Sequence, residues 1–310
     1  MARLAVITNP RARRNRRHLG RRQELEGVVA GVGEVWAPDG FDELAEVLTD
    51  LHARAVPLLV VDGGDGTLHR VLSTASSVWG DDPLPRVAIL RGGTMNIVAD
   101  SIGSRGASTD VLARIVAHVR AGEPLRRTVR WALGVEGRLG FLFGNGIVAR
   151  YLEVHYEGGG SVWNAARLLG AGALSAMVGG PLAQRLSRPW TGEVVLDGAS
   201  HGRRDWTAVA IGTVEQIGLQ FTPFPDVASS PGQLQLVEVG GGIGSLARDL
   251  PNIYLGRHLK RPGNATRLGR RVILRGDSEM AYMLDGEFYR GGAELVVEPQ
   301  RPVEFVLPAP

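Results

Sequence analysis

The chain has 310 residues, 44% of them apolar, enough for one large domain or two ordinary ones and too many for wholesale disorder. No uncharged apolar stretch reaches the roughly 18 residues that span a bilayer; the nearest, Leu168–Ala183, is broken by glycines and Pro181. MARLAVITNP at the N-terminus lacks a signal peptide's apolar core, and the absence of cysteine excludes disulfides and thiolate metal sites, so a cytoplasmic location is expected.

In chain order, RLAVITNP (3–10) reads as a buried strand closed by an Asn-Pro turn, and residues 11–30 as a helix. GEVWAP (33–38) is a second strand. FDELAEVLTDLHARA (41–55) carries a helical stripe at Phe41, Leu44, Val47, Leu48 and Leu51. PLLVVDG gives the next strand and 67–78 the next helix; RVAILRGGTMN (86–96) repeats strand, glycine turn and helix start, and 108–122 is a further helix. Unbroken apolar strands alternating with helices predict a parallel sheet covered on both faces.

The pattern changes near Pro124. Short strands are expected at 127–135, 139–143, 193–197, 206–211, 234–239, 271–275, 280–284 and 294–297, separated by turns and interrupted by one apolar insert at 162–186. The fold class expected is therefore α/β: a parallel-sheet domain over 1–125 and a β-rich, sandwich-like domain over 126–310, with the extreme C-terminus free to pack back on the first.

Three strand ends carry unusual residues: Asn9-Pro10, then Asp62 to Thr67, then Gly92 to Asn96. Ligands of open parallel sheets collect at such ends. Glycines there let backbone N–H groups approach a phosphate, and a helix N-terminus adds partial positive charge. Neither GxxxxGK[ST] nor GxGxxG is present.

The pentad Gly63-Gly64-Asp65-Gly66-Thr67 resembles the GGDGT signature of the diacylglycerol kinase catalytic-domain family, which includes sphingosine kinases and bacterial lipid kinases; NAD kinases and phosphofructokinases carry the loop more distantly. GGTMN (92–96) resembles the family's GTxND loop, Asn9-Pro10 its opening NP element, FLFGNGIVA (141–149) a glycine-containing strand, QLQLVEV (233–239) its LxV strand, and MLDGEF (283–288) its DGE motif. The order matches over about residues 4–307, and DGE with the β-rich second half favours the lipid-kinase branch.

The resemblance implies an ATP-dependent kinase phosphorylating a hydroxyl of a diacylglycerol-like or sphingoid lipid. Asn9, Pro10, Gly63, Gly64, Asp65, Gly66, Thr67, Gly93, Thr94 and Asn96 would bind nucleotide. Asp65 would hold a catalytic Mg²⁺ or the acceptor, and Glu287, Asp285 or Asp65 itself would serve as base. Departures temper this. Arg11, Ala12 and Arg13 follow the NP element in place of serine and glycine. Arg70 stands where glutamate is common, and Ile97 where the second loop has aspartate. VASSPGQLQL (227–236) lacks the acids that hold a structural Mg²⁺ in some bacterial members, leaving Asp226 alone, so no structural Mg²⁺ is expected. Two alternatives stay open: a non-catalytic lipid- or nucleotide-binding relative, and a soluble small-molecule kinase.

Seven arginines crowd RARRNRRHLGRR (11–22) in a chain of net charge +3. A solvated helix face is the plain reading. Otherwise they suit the nucleotide, for Arg11 and Arg13, or an anionic membrane surface on the inner face, for Arg14, Arg16, Arg17, Arg21 and Arg22. No nucleic-acid motif accompanies them, and a homodimer is left open. The histidines read as ordinary surface or core residues, the tryptophans at 163, 190 and 206 as core rather than a lipid platform, and insert 162–186 as either a core helix or else a wall of an acyl-chain pocket or a membrane-docking helix.

Overall fold

A computed structural model describes residues 2–12, 15, 20–93, 95–150, 189–218 and 221–308 of the chain. Insert 162–186, Trp163, Leu168–Ala183, Thr94, Arg13, Arg14, Arg16 and Arg17 lie outside the described residues. The chain divides into two compact units: Met1–Arg130 with Gly137–Leu139 and Pro302–Pro310, and Trp131–Glu136 with Gly140–Arg301.

The first unit is a parallel sheet in the order β2-β1-β3-β4, formed by Gly33–Trp36, Leu4–Thr8, Leu58–Gly63 and Arg86–Arg91. Every residue of β1 and β3 is buried, as unbroken apolar strands between two helical layers require. Alternate residues Leu4, Val6, Leu58, Val60, Ala88 and Leu90 share one core with Leu25 and Val29 of α1 (Arg21–Val29) and Leu112, Ile115 and Val116 of α5 (Ser108–Ala121). Each such aliphatic side chain contributes about 1.5–3 kcal/mol by leaving water. α2 (Phe41–Ala53) packs against α3 (Asp65–Trp79), and α4 (Ile97–Ser101) follows β4. The last part of β16 (Glu294–Leu307) joins this unit beside β4, with Phe305 opposite Val87.

Among the described residues, the helix expected over 11–30 includes Arg21–Val29, while Arg11 and Ala12 lie in a turn, where the Ala12 N–H reaches the Asn9 carbonyl at 3.0 Å. Phe41 leaves the predicted apolar stripe and stands 60% exposed, with the Arg70 guanidinium 5.1 Å from its ring centre. A cation over an aromatic face explains an arginine at that helix position.

The second unit is a sandwich of antiparallel strands. One sheet runs β12-β11-β10-β7-β14-β15: Asn264–Gly269, Leu234–Val239, Ala208–Gly212, Leu142–Gly146, Met280–Leu284 and Glu287–Gly291. The other holds β9 (Ala199–Trp206), β8 (Trp190–Leu196), β13 (Val272–Gly276) and the first part of β16, with β5 (Arg126–Val135) beside β16 and β6 (Arg138–Gly140) beside β5. Val194, Leu196, Val272, Leu274, Leu295 and Val297 face Phe143, Val209, Ile211, Leu236, Tyr282 and Leu284 across one core. Trp206 is fully buried in it and Trp190 packs on it. The single strand expected over 139–143 is two, β6 and β7, interrupted at Phe141. Strands β9, β12 and β15 and helix α6 (Ile243–Tyr254) were not anticipated. The three strands are arginine- and glycine-rich, with apolar positions too sparse to show a period, whereas α6 carries a helical stripe at Ile243, Leu246, Leu250 and Ile253 that the sequence reading missed.

Candidate functional site

In the first unit three strands end side by side. The registers place Thr8 beside Asp62 and Gly63 beside Arg91, so Asn9, Gly64 and Gly92 follow along one edge of the sheet. The two glycine turns lock together there. The Gly92 N–H donates to the Gly63 carbonyl at 2.8 Å. A Cβ on Gly64 would meet the Gly93 Cα at 2.8 Å, and one on Gly92 would meet the Gly63 Cα at 2.9 Å. Gly64 has φ −98° and ψ −172°, a conformation open to any residue, so close approach of the two turns is what demands glycine.

α3 begins two residues earlier than expected, at Asp65, with Gly64 as its N-cap and no side-chain cap. Its uncapped N-terminus offers N–H groups and dipole to an anion. The Asp65 Oδ1 accepts the Val98 N–H at 3.3 Å. Burial pushes the Asp65 carboxyl above its ordinary value, opposed by the backbone N–H groups of Ile97, Val98 and Asn96. Ile97, which replaces the family's aspartate, thus still serves Asp65 through its amide.

The other predicted residues mostly shape the loops. Asn96 adopts a left-handed backbone (φ 52°), and its side-chain amide closes the second loop: Oδ1 accepts the Gly93 N–H at 3.0 Å and Nδ2 donates to the Gly93 carbonyl at 3.1 Å. Asn9 Nδ2 donates to the buried Thr67 Oγ1 at 3.0 Å, tying the end of β1 to the start of α3, while its Oδ1 accepts the Arg11 N–H. Pro10 is exposed beside them. Gly66 lies in the first turn of α3.

Beneath the turns is a cluster the sequence reading missed. Asp62 is fully buried, and its carboxylate accepts from Thr8 Oγ1 at 2.8 Å, Asn15 Nδ2 at 3.0 Å, and Arg21 Nε at 3.2 Å and Nη2 at 2.7 Å. Arg21 also donates to Glu24 and to Thr109 Oγ1, and Asn15 to the Asn9 carbonyl. Burial opposes charge on Arg21, but hydrogen bonds and attraction from Asp62, then Glu24, hold its guanidinium above the ordinary value. This corrects the assignment of Arg21 to a membrane surface. Arg22 pairs with Glu26, and Arg11 with Asp39. The readable signal was an acid ending an otherwise apolar buried strand, a position that calls for a cation.

In the second unit, Asp285-Gly286 is the two-residue turn between β14 and β15, with φ 50° and 87°, the type I′ geometry of a tight hairpin. One oxygen of Asp285 accepts the N–H groups of both Phe141 and Leu142 at 2.9 Å, pinning the turn to β7. The same device recurs at Asp197-Gly198, φ 49° and 85°, where Asp197 accepts the N–H groups of Arg270 and Arg271. Asp285 therefore does the work of a turn residue. Glu287 is half-buried at the first position of β15.

No group of three or more acids or histidines that could hold a metal converges among the described residues. The glycine loop, with Asp65 as its carboxylate, fits a magnesium ion held chiefly by nucleotide phosphates and water; it does not fit an all-protein cage. Asp226 is engaged with Gln235 Nε2 and His258 Nε2, both at 2.7 Å.

An α/β unit with interlocked glycine turns at its strand ends, followed by an antiparallel sandwich, is the architecture of a diacylglycerol kinase/NAD kinase-like fold. Residues 3–123 match the diacylglycerol kinase catalytic domain, and residues 162–301 match the YegS C-terminal NAD kinase beta sandwich-like domain. The chain belongs to the diacylglycerol kinase catalytic-domain family. Among solved structures, a diacylglycerol kinase from Bacillus anthracis str. Sterne aligns with TM-score 0.66 at 14% identity, covering 98% of this chain and 96% of that one. A second structure from that organism, given the same name provisionally, aligns with TM-score 0.71 at 14% identity over the same shares. At such identity the likeness is one of fold. No curated protein sequence matches the chain.

Proposed function

We propose that the chain is an ATP-dependent lipid kinase that transfers the γ-phosphoryl group to a hydroxyl of a diacylglycerol-like or sphingoid lipid. The observation that carries the reading is the double glycine turn: two backbone turns in contact, backed by an uncapped helix N-terminus whose first residue, Asp65, accepts the Val98 N–H. Phosphoryl transfer needs mainly positioning and charge neutralisation around the γ-phosphate, which such a cradle supplies. A magnesium ion arriving with the nucleotide supplies further neutralisation, and Asp65 is the side chain to meet it. Asn9, Thr67 and Asn96 act by fixing loop shape; Thr94 is carried over from the motif alone.

Asp65 also meets the acceptor or its proton in the superfamily reading. For the base we favour Glu287 over Asp285, because Asp285 is spent on two backbone amides. Glu287→Gln should lower kcat about 10²–10⁴-fold with ATP affinity kept. Asp285→Asn, by contrast, should lower the melting temperature along with activity, because the turn loosens. Steady-state turnover, nucleotide titration and thermal melting of both variants test this; a Glu287→Gln enzyme of wild-type kcat would contradict the assignment.

A further inference from the structure

α6 is amphipathic in sequence, yet of its apolar side chains only Ile253 is buried. At its C-terminal end Tyr254 and the next residue, Leu255, are 49% and 56% exposed. They are two of the four large apolar residues that stand exposed among the described residues, and they are adjacent. The tip is a built one: the Tyr254 ring meets Phe221 edge-on at 5.6 Å, and the Thr222 N–H donates to the Ile253 carbonyl at 3.0 Å.

Four cations flank this tip along the chain. Arg248 lies seven residues before Leu255, two helical turns, and therefore on the same face. The chain then turns back, and the buried Asp249 accepts the backbone N–H groups of Lys260 and Arg261 at 3.2 Å, which returns that segment against the helix. Arg248, Arg257, Lys260 and Arg261 are all exposed, whereas Asp249 is the one carboxylate in residues 243–261 and is buried. The exposed charged side chains of the segment itself are thus all cationic beside its apolar tip, with Asp226 paired to His258.

We infer that the tip of α6 and the return segment 256–261 form a docking surface for an anionic lipid bilayer. Tyr254 and Leu255 enter the headgroup–acyl boundary, and the four cations pair with lipid phosphates around them. A bilayer is the occupant that matches both halves of the patch. A soluble polyanion answers the cations and leaves Leu255 in water, whereas an interfacial segment combines apolar anchors with basic neighbours. Of the surface expected at residues 11–22, Arg21 is withdrawn by Asp62.

The test is vesicle binding by the full chain without ATP, so its outcome is independent of the kinase reading. Binding is expected to phosphatidylglycerol vesicles and not to phosphatidylcholine vesicles, weakening with salt. Lys260 is the chain's single lysine. Its acylation by an amine reagent, read on its own peptide by mass spectrometry, should slow when anionic vesicles are present. Tyr254→Ser with Leu255→Ser, and separately Arg257→Gln with Lys260→Gln, should each weaken partitioning about tenfold or more. The charge pair serves as the deciding variant should the first pair fail to fold. Undiminished binding in folded variants, an unprotected Lys260, or equal protection by duplex DNA in place of vesicles would overturn the inference. A chain that binds vesicles in this way and consumes no ATP would keep the docking surface and lose the kinase.

Discussion

Asp62 is a carboxylate removed from water and compensated by four donated hydrogen bonds, two of them from Arg21. Removing one partner of a buried pair leaves the other charge uncompensated, at a cost of about 3–5 kcal/mol. Arg21→Ala should therefore lower the melting temperature sharply and loosen the glycine loop, because the same cluster holds the ends of β1 and β3. A melting temperature within a degree or two of wild type would show that the pair does not support the loop. A second residue gives a pH signature. His69 of α3 is 2% exposed, and burial, with repulsion from Arg138 and Arg70, pushes its pKa down from 6.5 to about 4, against a hydrogen bond with the Leu139 backbone. The folded state binds the proton less well than the unfolded state. Stability from the neutral imidazole is accordingly full above about pH 6.5 and is lost as pH falls toward about 4. Denaturant titrations at pH 7 and pH 4.5 should show a loss that His69→Leu reduces; an equal loss in both proteins would remove His69 as its source.

At the scale of elements, the glycine turns work as a pair. Gly64→Ala puts a methyl group where the Gly93 Cα leaves 2.8 Å, and backbone cannot rotate aside as a side chain can. Such overpacking costs about 1–3 kcal/mol. ATP affinity should fall at least tenfold, about 1.4 kcal/mol, as the cradle opens. Calorimetric titration with ATP reads this, and unchanged affinity in a destabilised variant would mean that the turns pack without cradling phosphate. The pentad was legible because its glycines, acid and threonine stand together within five residues. Its partner residues were not, because Arg21 sits 41 positions from Asp62 and nothing local to either marks the pair. The DGE hairpin shows the reverse case. Its turn geometry was readable from Asp-Gly, and the resemblance gave Asp285 the same standing as Glu287. Only the bonds to Phe141 and Leu142, 144 and 143 positions away, separate a turn residue from a candidate base.

Across the whole molecule, the alternation of apolar strands with helices and the change to short strands beyond Pro124 were readable because a strand buried on both faces is apolar throughout. The sandwich was less so. β9 is exposed at most positions and carries Arg203 and Arg204, and β12 is half-buried, so neither shows the alternation by which a strand announces itself. Where β16 begins was legible at 294–297. Its continuation to Leu307 was not, because Glu298, Gln300, Arg301 and Pro302 interrupt the apolar pattern before Val303, Phe305 and Val306 resume it as buried residues. The central claim is phosphoryl transfer from ATP to a lipid hydroxyl, and it is tested most directly by incubating the chain with ATP labelled at its γ-phosphate and a panel of diacylglycerol and sphingoid lipids. Label should appear in an organic-phase lipid phosphate with the wild-type chain and be absent with Asp65→Asn. Label that stays on ATP, or passes only to inorganic phosphate across the whole panel, would contradict it.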